Sequence, residues 1–195
     1  MKISSIALAL TAALLAAGMT VRATEEPSGS PQTGVAEGIK VALSPRAIIQ
    51  GWPKDSRMIA DVVMERYGRP DDWTETALIW RAKGPWKRMI VHRKPWGARP
   101  FDWSPDVLQQ TVSYRVPLNR IADLAAFDTR ISVNRTTDEL SSRANDERWN
   151  YLALNLADEV IVGWKTPEEA KLEYRRVRRL AEAGKSSPYI EGLRF

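Results

Sequence analysis

Apolar residues recur at helical spacing in four stretches of the chain and in alternation in two others. The first helical stretch runs from about Asp55 to Tyr67, where Ile59, Val62, Val63 and Tyr67 share a face with Arg66. Asp55 or Ser56 supplies a cap, Gly68 a stop, and Pro70 prevents continuation. A shorter helix opens at Leu118 or Asn119 and ends at Phe127, with Ile121, Leu124 and Ala125 inward. The third runs from Asp146 to Val162, capped by Asn145 or Asp146, with Trp149, Leu152, Ala153, Leu156 and Val160 on one face. The fourth starts at the capping box Thr166-Pro167-Glu168-Glu169 and carries the stripe Ala170, Tyr174, Val177 and Ala181 to a stop at Gly184.

Alternation marks the strands. TALIWRA and WKRMIVHR flank Gly84-Pro85, which predicts a hairpin with Trp80 opposite Met89 and Leu78 opposite Val91. Those four form a core face, with Ala77, Ile79, Ile90 and His92 on the other. A second hairpin pairs Arg130–Thr136 with Glu139–Ala144 across a turn at Thr137-Asp138. Its predicted polar face holds Ser132, Asn134, Thr136, Glu139, Ser141 and Arg143. Between the hairpins, KPWGARPFDWSP reads as a loop, Asp106 to Gln110 as a helical turn, and Thr111 to Val116 as a strand. The expected fold is two-layer α+β, an antiparallel sheet of two β-hairpins plus a strand packed by about four helices.

The N-terminus follows other rules. Lys2 precedes an uncharged apolar stretch from Ile3 to Val21, and Val21-Arg22-Ala23 suits a signal peptidase. The rival reading is an uncleaved anchor, but the stretch is barely long enough to span a bilayer and is rich in alanine. Cleavage is expected after Ala23, with Gly18 as the second choice. Residues 1–23 are thus read as a signal peptide and 24–38 (TEEPSGSPQTGVAEG) as a disordered tether. Ile39 to Trp52 reads as extended, residues 39–185 as a single α+β domain, and 186–195 as a loose C-terminal tail.

Composition narrows the function. The chain of 195 residues has no cysteine, so it forms no disulfide and no thiolate site. Its net charge of +5 includes Lys2 and Arg22, which leave with the signal, so the remaining balance is modest and does not point to nucleic acid. An exported envelope or periplasmic protein without a transmembrane anchor after cleavage is expected.

The stretch Met58 to Trp80, with Tyr67-Gly68-Arg69-Pro70, a polar gap and a strand ending in tryptophan, is similar to a local pattern in outer-membrane assembly lipoproteins of the SmpA/OmlA type. Met19 stands where a lipobox of that kind carries its cysteine. The chain as a whole resembles an uncharacterised family of secreted bacterial proteins, in segments such as GPWKRMIVHR and NYLALNLA. That resemblance implies export and no particular activity.

Candidate chemistry is sparse. The single histidine, His92, excludes a two-histidine metal helix, and no phosphate loop, nucleophile elbow or dinucleotide fingerprint is present. No cofactor, metal site or catalytic residue is assigned. His92 paired with Asp102 or Asp106 is one catalytic reading, set against a plain strand histidine. Acids near turns (Asp71, Asp72, Asp102, Asp106, Asp138, Glu139) are the material for a carboxylate-based hydrolase of an envelope polymer, which is the alternative function. The leading function is non-enzymatic binding of an envelope protein or glycan. The chain has 8 tryptophans, five of them at Trp73, Trp80, Trp86, Trp96 and Trp103. Loop aromatics suit a contact surface, so Trp96, Phe101 and Trp103 form the first candidate binding surface. Asn134 and Arg143 on the second hairpin form another, suited to a polar or anionic group.

Overall fold

The computed structural model describes residues 44–95 and 106–195. Residues 1–23 and 24–38, expected to be a signal and a tether, and the aromatic trio Trp96, Phe101 and Trp103 lie outside the described residues. Asp102 lies outside them as well.

The fold is α+β. Six strands form one antiparallel sheet in the order β1-β2-β3-β4-β6-β5. They are β1 (Asp72–Trp73), β2 (Ala77–Lys83), β3 (Trp86–His92), β4 (Leu108–Ser113), β5 (Ser132–Asn134) and β6 (Glu139–Ala144). Six α-helices accompany it among the described residues, more than the four expected: α1 (Pro45–Ile49), α2 (Lys54–Tyr67), α3 (Ile121–Phe127), α4 (Glu147–Ile161), α5 (Pro167–Glu182) and α6 (Pro188–Glu191).

The first hairpin has the expected register, with Leu78 opposite Val91 and Trp80 opposite Met89, and all four side chains are buried. Gly84 takes a φ of +56°, a region in which a side chain is strained. Trp80 donates its indole N–H to the Gly68 carbonyl at 2.9 Å, which ties the stop of α2 to the sheet.

Helix α4 is the core of the domain. Asp146 caps it by accepting the Arg148 N–H, and of its residues only Arg148 and Asp158 are not buried. It packs on β4 and β6 and touches α3, α5 and α6. Helix α5 has the expected capping box, with Thr166 and Glu169 bonded reciprocally.

Several elements depart from the sequence reading. Residues 45–49 are helical rather than extended, because Ser44 accepts the Ala47 N–H and Pro45 sits at the first helical position. Neither Asp55 nor Ser56 caps α2. Pro53 stands at its N-cap, and Ser56 is buried and donates its hydroxyl to the Arg93 carbonyl. The buried side of α2 is Ser56, Ala60, Val63 and Met64, which leaves Val62 outward. Small side chains at Ser56 and Ala60 let the helix approach closely, so shape selects that face. Residues 108–110 are strand rather than helical turn, since β4 pairs with β3 and β6 at once and tertiary pairing overrides local preference. The strand ends at Ser113. On α3 the inward residues are Leu124 and Phe127, with Ala125 exposed.

Residues 186–195 are not a loose tail. Asn155 donates to the carbonyls of Tyr189 and Gly192, and its own carbonyl accepts the Arg194 N–H at 2.8 Å. Ile190 is buried, and Phe195 meets Tyr114 edge-on at 5.2 Å. A buried amide on α4 therefore stands in for the missing helical ladder.

Candidate functional site

A pocket of about 270 Å³ opens between α2 and the start of α4. Met58, Ile59, Val62 and Val63 of α2 form one wall, and Leu108 and Gln110 of β4 form the floor. Asn145, Asp146 and Glu147 close the far end, with Arg66 and Tyr67 from the last turn of α2. The helix turns Ser56 and Ala60 to the sheet, so the larger apolar residues Met58 and Val62 face out, 56% and 62% exposed. Apolar side chains this exposed, side by side on one helix beside a concavity, mark an interaction surface more often than isolated ones do.

The polar end is built around Glu147. Its Oε1 accepts the Tyr67 hydroxyl at 2.5 Å, the Trp86 indole N–H at 2.5 Å and the Gln110 amide N–H at 2.8 Å. Its Oε2 lies 2.5 Å from Arg66 Nη1, an ion pair with no aligned hydrogen bond. Glu147 is only 8% exposed. Burial, then the bond to Glu147, push the Tyr67 phenol well above the usual tyrosine range, so Tyr67 stays a donor. Trp86 stacks on Tyr151 at 5.0 Å between ring centroids. Asn150 extends the network by donating to Gln110 Oε1 and the Leu108 carbonyl. A carboxylate with three donors on one oxygen is an organising group: it joins α2, β3 and β4 to α4.

The sequence-predicted residues fall elsewhere. Asn134 and Arg143 lie on one face of the second hairpin but at opposite ends of it, and Glu139 and Ser141 between them are buried rather than solvated. Asn134 lies opposite Glu139, where its side-chain carbonyl accepts the N–H groups of Thr136 and Thr137 and shapes the turn. That turn spans Arg135 to Asp138, so Thr136 belongs to it and not to the strand face. Arg143 lies opposite Gln109 and donates Nε and Nη2 to its side-chain carbonyl. His92 Nε2 meets the same Gln109 oxygen at 3.3 Å. Burial, with Arg143 nearby, holds the His92 imidazole below the usual histidine range, although the Gln109 contact works the other way.

The acids near turns are held by neighbours. Asp71 accepts the Arg81 N–H and pairs with Lys83, and Asp72 pairs with Arg81. Glu139 is buried; desolvation raises its carboxyl, but bonds from Lys87 and Arg88 outweigh that and bring it below the usual range. Asp138 takes a φ of +47° in the turn. Trp80 and Trp86 are core residues, whereas Trp164, between α4 and α5, is 77% exposed.

Sequence reading missed Glu147. Its hydrogen-bond donors lie 37 to 80 positions away, and an acid at a helix start reads as a dipole match. One signal was present: buried β4 carries two adjacent glutamines, and a buried amide requires partners. Among the described residues no cluster of histidine, cysteine or carboxylate groups suits a metal ion, and no helix is long and apolar enough to cross a membrane. Compared with known proteins, the chain matches no family model, no curated protein and no solved structure.

Proposed function

We propose that this protein is an exported envelope protein that works by binding, and that it receives part of a partner protein in the pocket between α2 and α4. The observation that carries this reading is the exposed pair Met58 and Val62 beside a concavity whose far end is the rigid Glu147 junction. A preformed apolar recess loses little entropy when filled, and an apolar rim favours a protein side chain over a glycan. Export rests on the N-terminal pattern of Lys2, the uncharged stretch and Val21-Arg22-Ala23.

The hydrolase alternative has weaker support. A carboxylate that serves as general acid or base must reach a substrate, and Glu147 Oε1 already accepts three hydrogen bonds from Tyr67, Trp86 and Gln110. Its neighbour Asp146 is committed to capping α4 and to Arg148.

The test compares protein recovered from the cell envelope with two variants, Met58→Ser/Val62→Ser and Arg81→Ser. Both change exposed side chains, so melting curves should stay close to wild type. The pocket variant is expected to lose a co-purifying partner that Arg81→Ser retains. Intact mass should give a chain starting at Thr24. Retention of the partner by the pocket variant contradicts the binding surface, and a chain retaining residues 1–23 contradicts processing.

A further inference from the structure

The two ends of the pocket differ in chemistry. Met58, Ile59, Val62 and Leu108 give one end a run of aliphatic surface. Asp146 and Glu147 stand at the other, and among the described residues that line the pocket Arg66 is the one cation. The groups around Glu147 are not equally fixed. Trp86 and Gln110 are fully packed, and Tyr67 is half-buried against the hairpin, its ring 3.4 Å from the position a Cβ would take at Gly84. The Arg66 side chain, by contrast, is 60% exposed and meets Oε2 without an aligned hydrogen bond. Arg66 is therefore the one member of the cradle that can leave without opening the core.

We infer that the pocket takes a single aliphatic chain ending in a cation, a lysine-like or alkylammonium group, whose head replaces Arg66 at Glu147 Oε2 while its stem lies along Met58, Val62 and Leu108. Exchange of one cation for another keeps Glu147 neutralised throughout, so its burial is not penalised a second time. An anionic head would be set beside the Glu147 carboxylate, with Asp146 next to it already paired with Arg148. A neutral head would gain the apolar contact alone and leave Oε2 to Arg66. The volume of about 270 Å³ suits one side chain rather than a longer segment. This inference rests on the pocket being the binding surface.

The experiment titrates 15N-labelled protein with n-hexylammonium, 1-hexanol and hexanoate and follows the amide signals of Val62, Tyr67, Leu108 and Glu147. Hexylammonium is expected to move these signals with an affinity about tenfold above hexanol, a difference of one decade for a single charge-assisted contact. Hexanoate should be weakest. Arg66→Gln removes the competing cation and should tighten hexylammonium further while leaving hexanol unchanged. A purely structural Arg66 would alter both probes alike or neither, which overturns the inference. Equal titration by hexanol and hexylammonium overturns the cation preference and leaves the pocket standing. Tightest binding by hexanoate overturns it in favour of Arg66 as an anion receptor. No shift at these amides with any probe removes both the inference and the pocket reading beneath it.

Discussion

Tyr67 on the last turn of α2 donates its hydroxyl to Glu147 at the first turn of α4, at 2.5 Å and across 80 positions of sequence. That bond closes the wall between the pocket and the core. Trp86 and Gln110 bring β3 and β4 to the same oxygen, so one carboxylate fixes the spacing of the two helices that form the pocket.

Truncation of this carboxylate takes the acceptor from the buried Trp86 indole and the half-buried Tyr67 hydroxyl, and leaves the buried Gln110 amide only its contact with Met89 Sδ. Glu147→Ala should cost about 3–5 kcal/mol, the range for breaking one side of a buried charged contact. Arg66→Ala should cost clearly less, because its guanidinium is mostly in water and the three donors on Oε1 remain. Urea unfolding of the two variants checks this contrast. Similar losses would mean that the ion pair, not the three-donor cradle, holds the junction.

Leu156 is fully buried on α4 and belongs to the hydrophobic core. Leu156→Ala should cost about 2–5 kcal/mol. An unchanged melting curve would show that α4 is not the core helix.

His92 sets a pH dependence. Its folded pKa lies below the unfolded value of about 6.5, chiefly through burial. Between the two values the unfolded chain binds more protons, so stability is full above about pH 6.5 and falls as pH drops below it. Urea midpoints measured between about pH 7.5 and pH 5 should show this slope, and His92→Gln should flatten it. A slope that persists in the variant assigns it to other groups.

The C-terminal segment depends on one amide. Asn155→Ala removes two donors and an acceptor from the backbone of residues 189–194. Hydrogen exchange at Arg194 should accelerate markedly, with the sheet amides unaffected. Unchanged protection would show that Ile190 and Phe195 hold the segment by packing alone.

Much of the fold was legible because it is written in local pattern. The capping box at Thr166 and the register of the first hairpin follow from spacing of a few residues, and the five expected inner residues of α4 are all buried, although that helix is buried nearly all round and not on one face. What failed was decided by distant partners. Asp106 to Gln110 reads as a helical turn, and only pairing with β3 and β6 makes residues 108–110 part of a central strand. The inward turn of α2 follows from how closely Ser56 and Ala60 approach the sheet, which periodicity alone does not convey. The tail reads as loose because Asn155, its anchor, lies far upstream. The pocket was invisible for the same reason, since Arg66, Tyr67, Trp86, Gln110 and Glu147 come from four separate elements. Arg143 was read as ligand-facing, yet it is engaged with Gln109 across the strand pair.

Three candidates compete for the binding role: the pocket at Val62, the polar positions around Arg143, and the aromatic residues around Trp103, which lie outside the described residues. Photo-cross-linking inside the cell, with the reactive side chain placed in turn at positions 62, 143 and 103, separates them directly. A discrete adduct from position 62, absent when Met58 is replaced by serine in the same chain, is the result expected here. Adducts from 143 or 103 with none from 62 would contradict it, and would move the working surface away from Glu147.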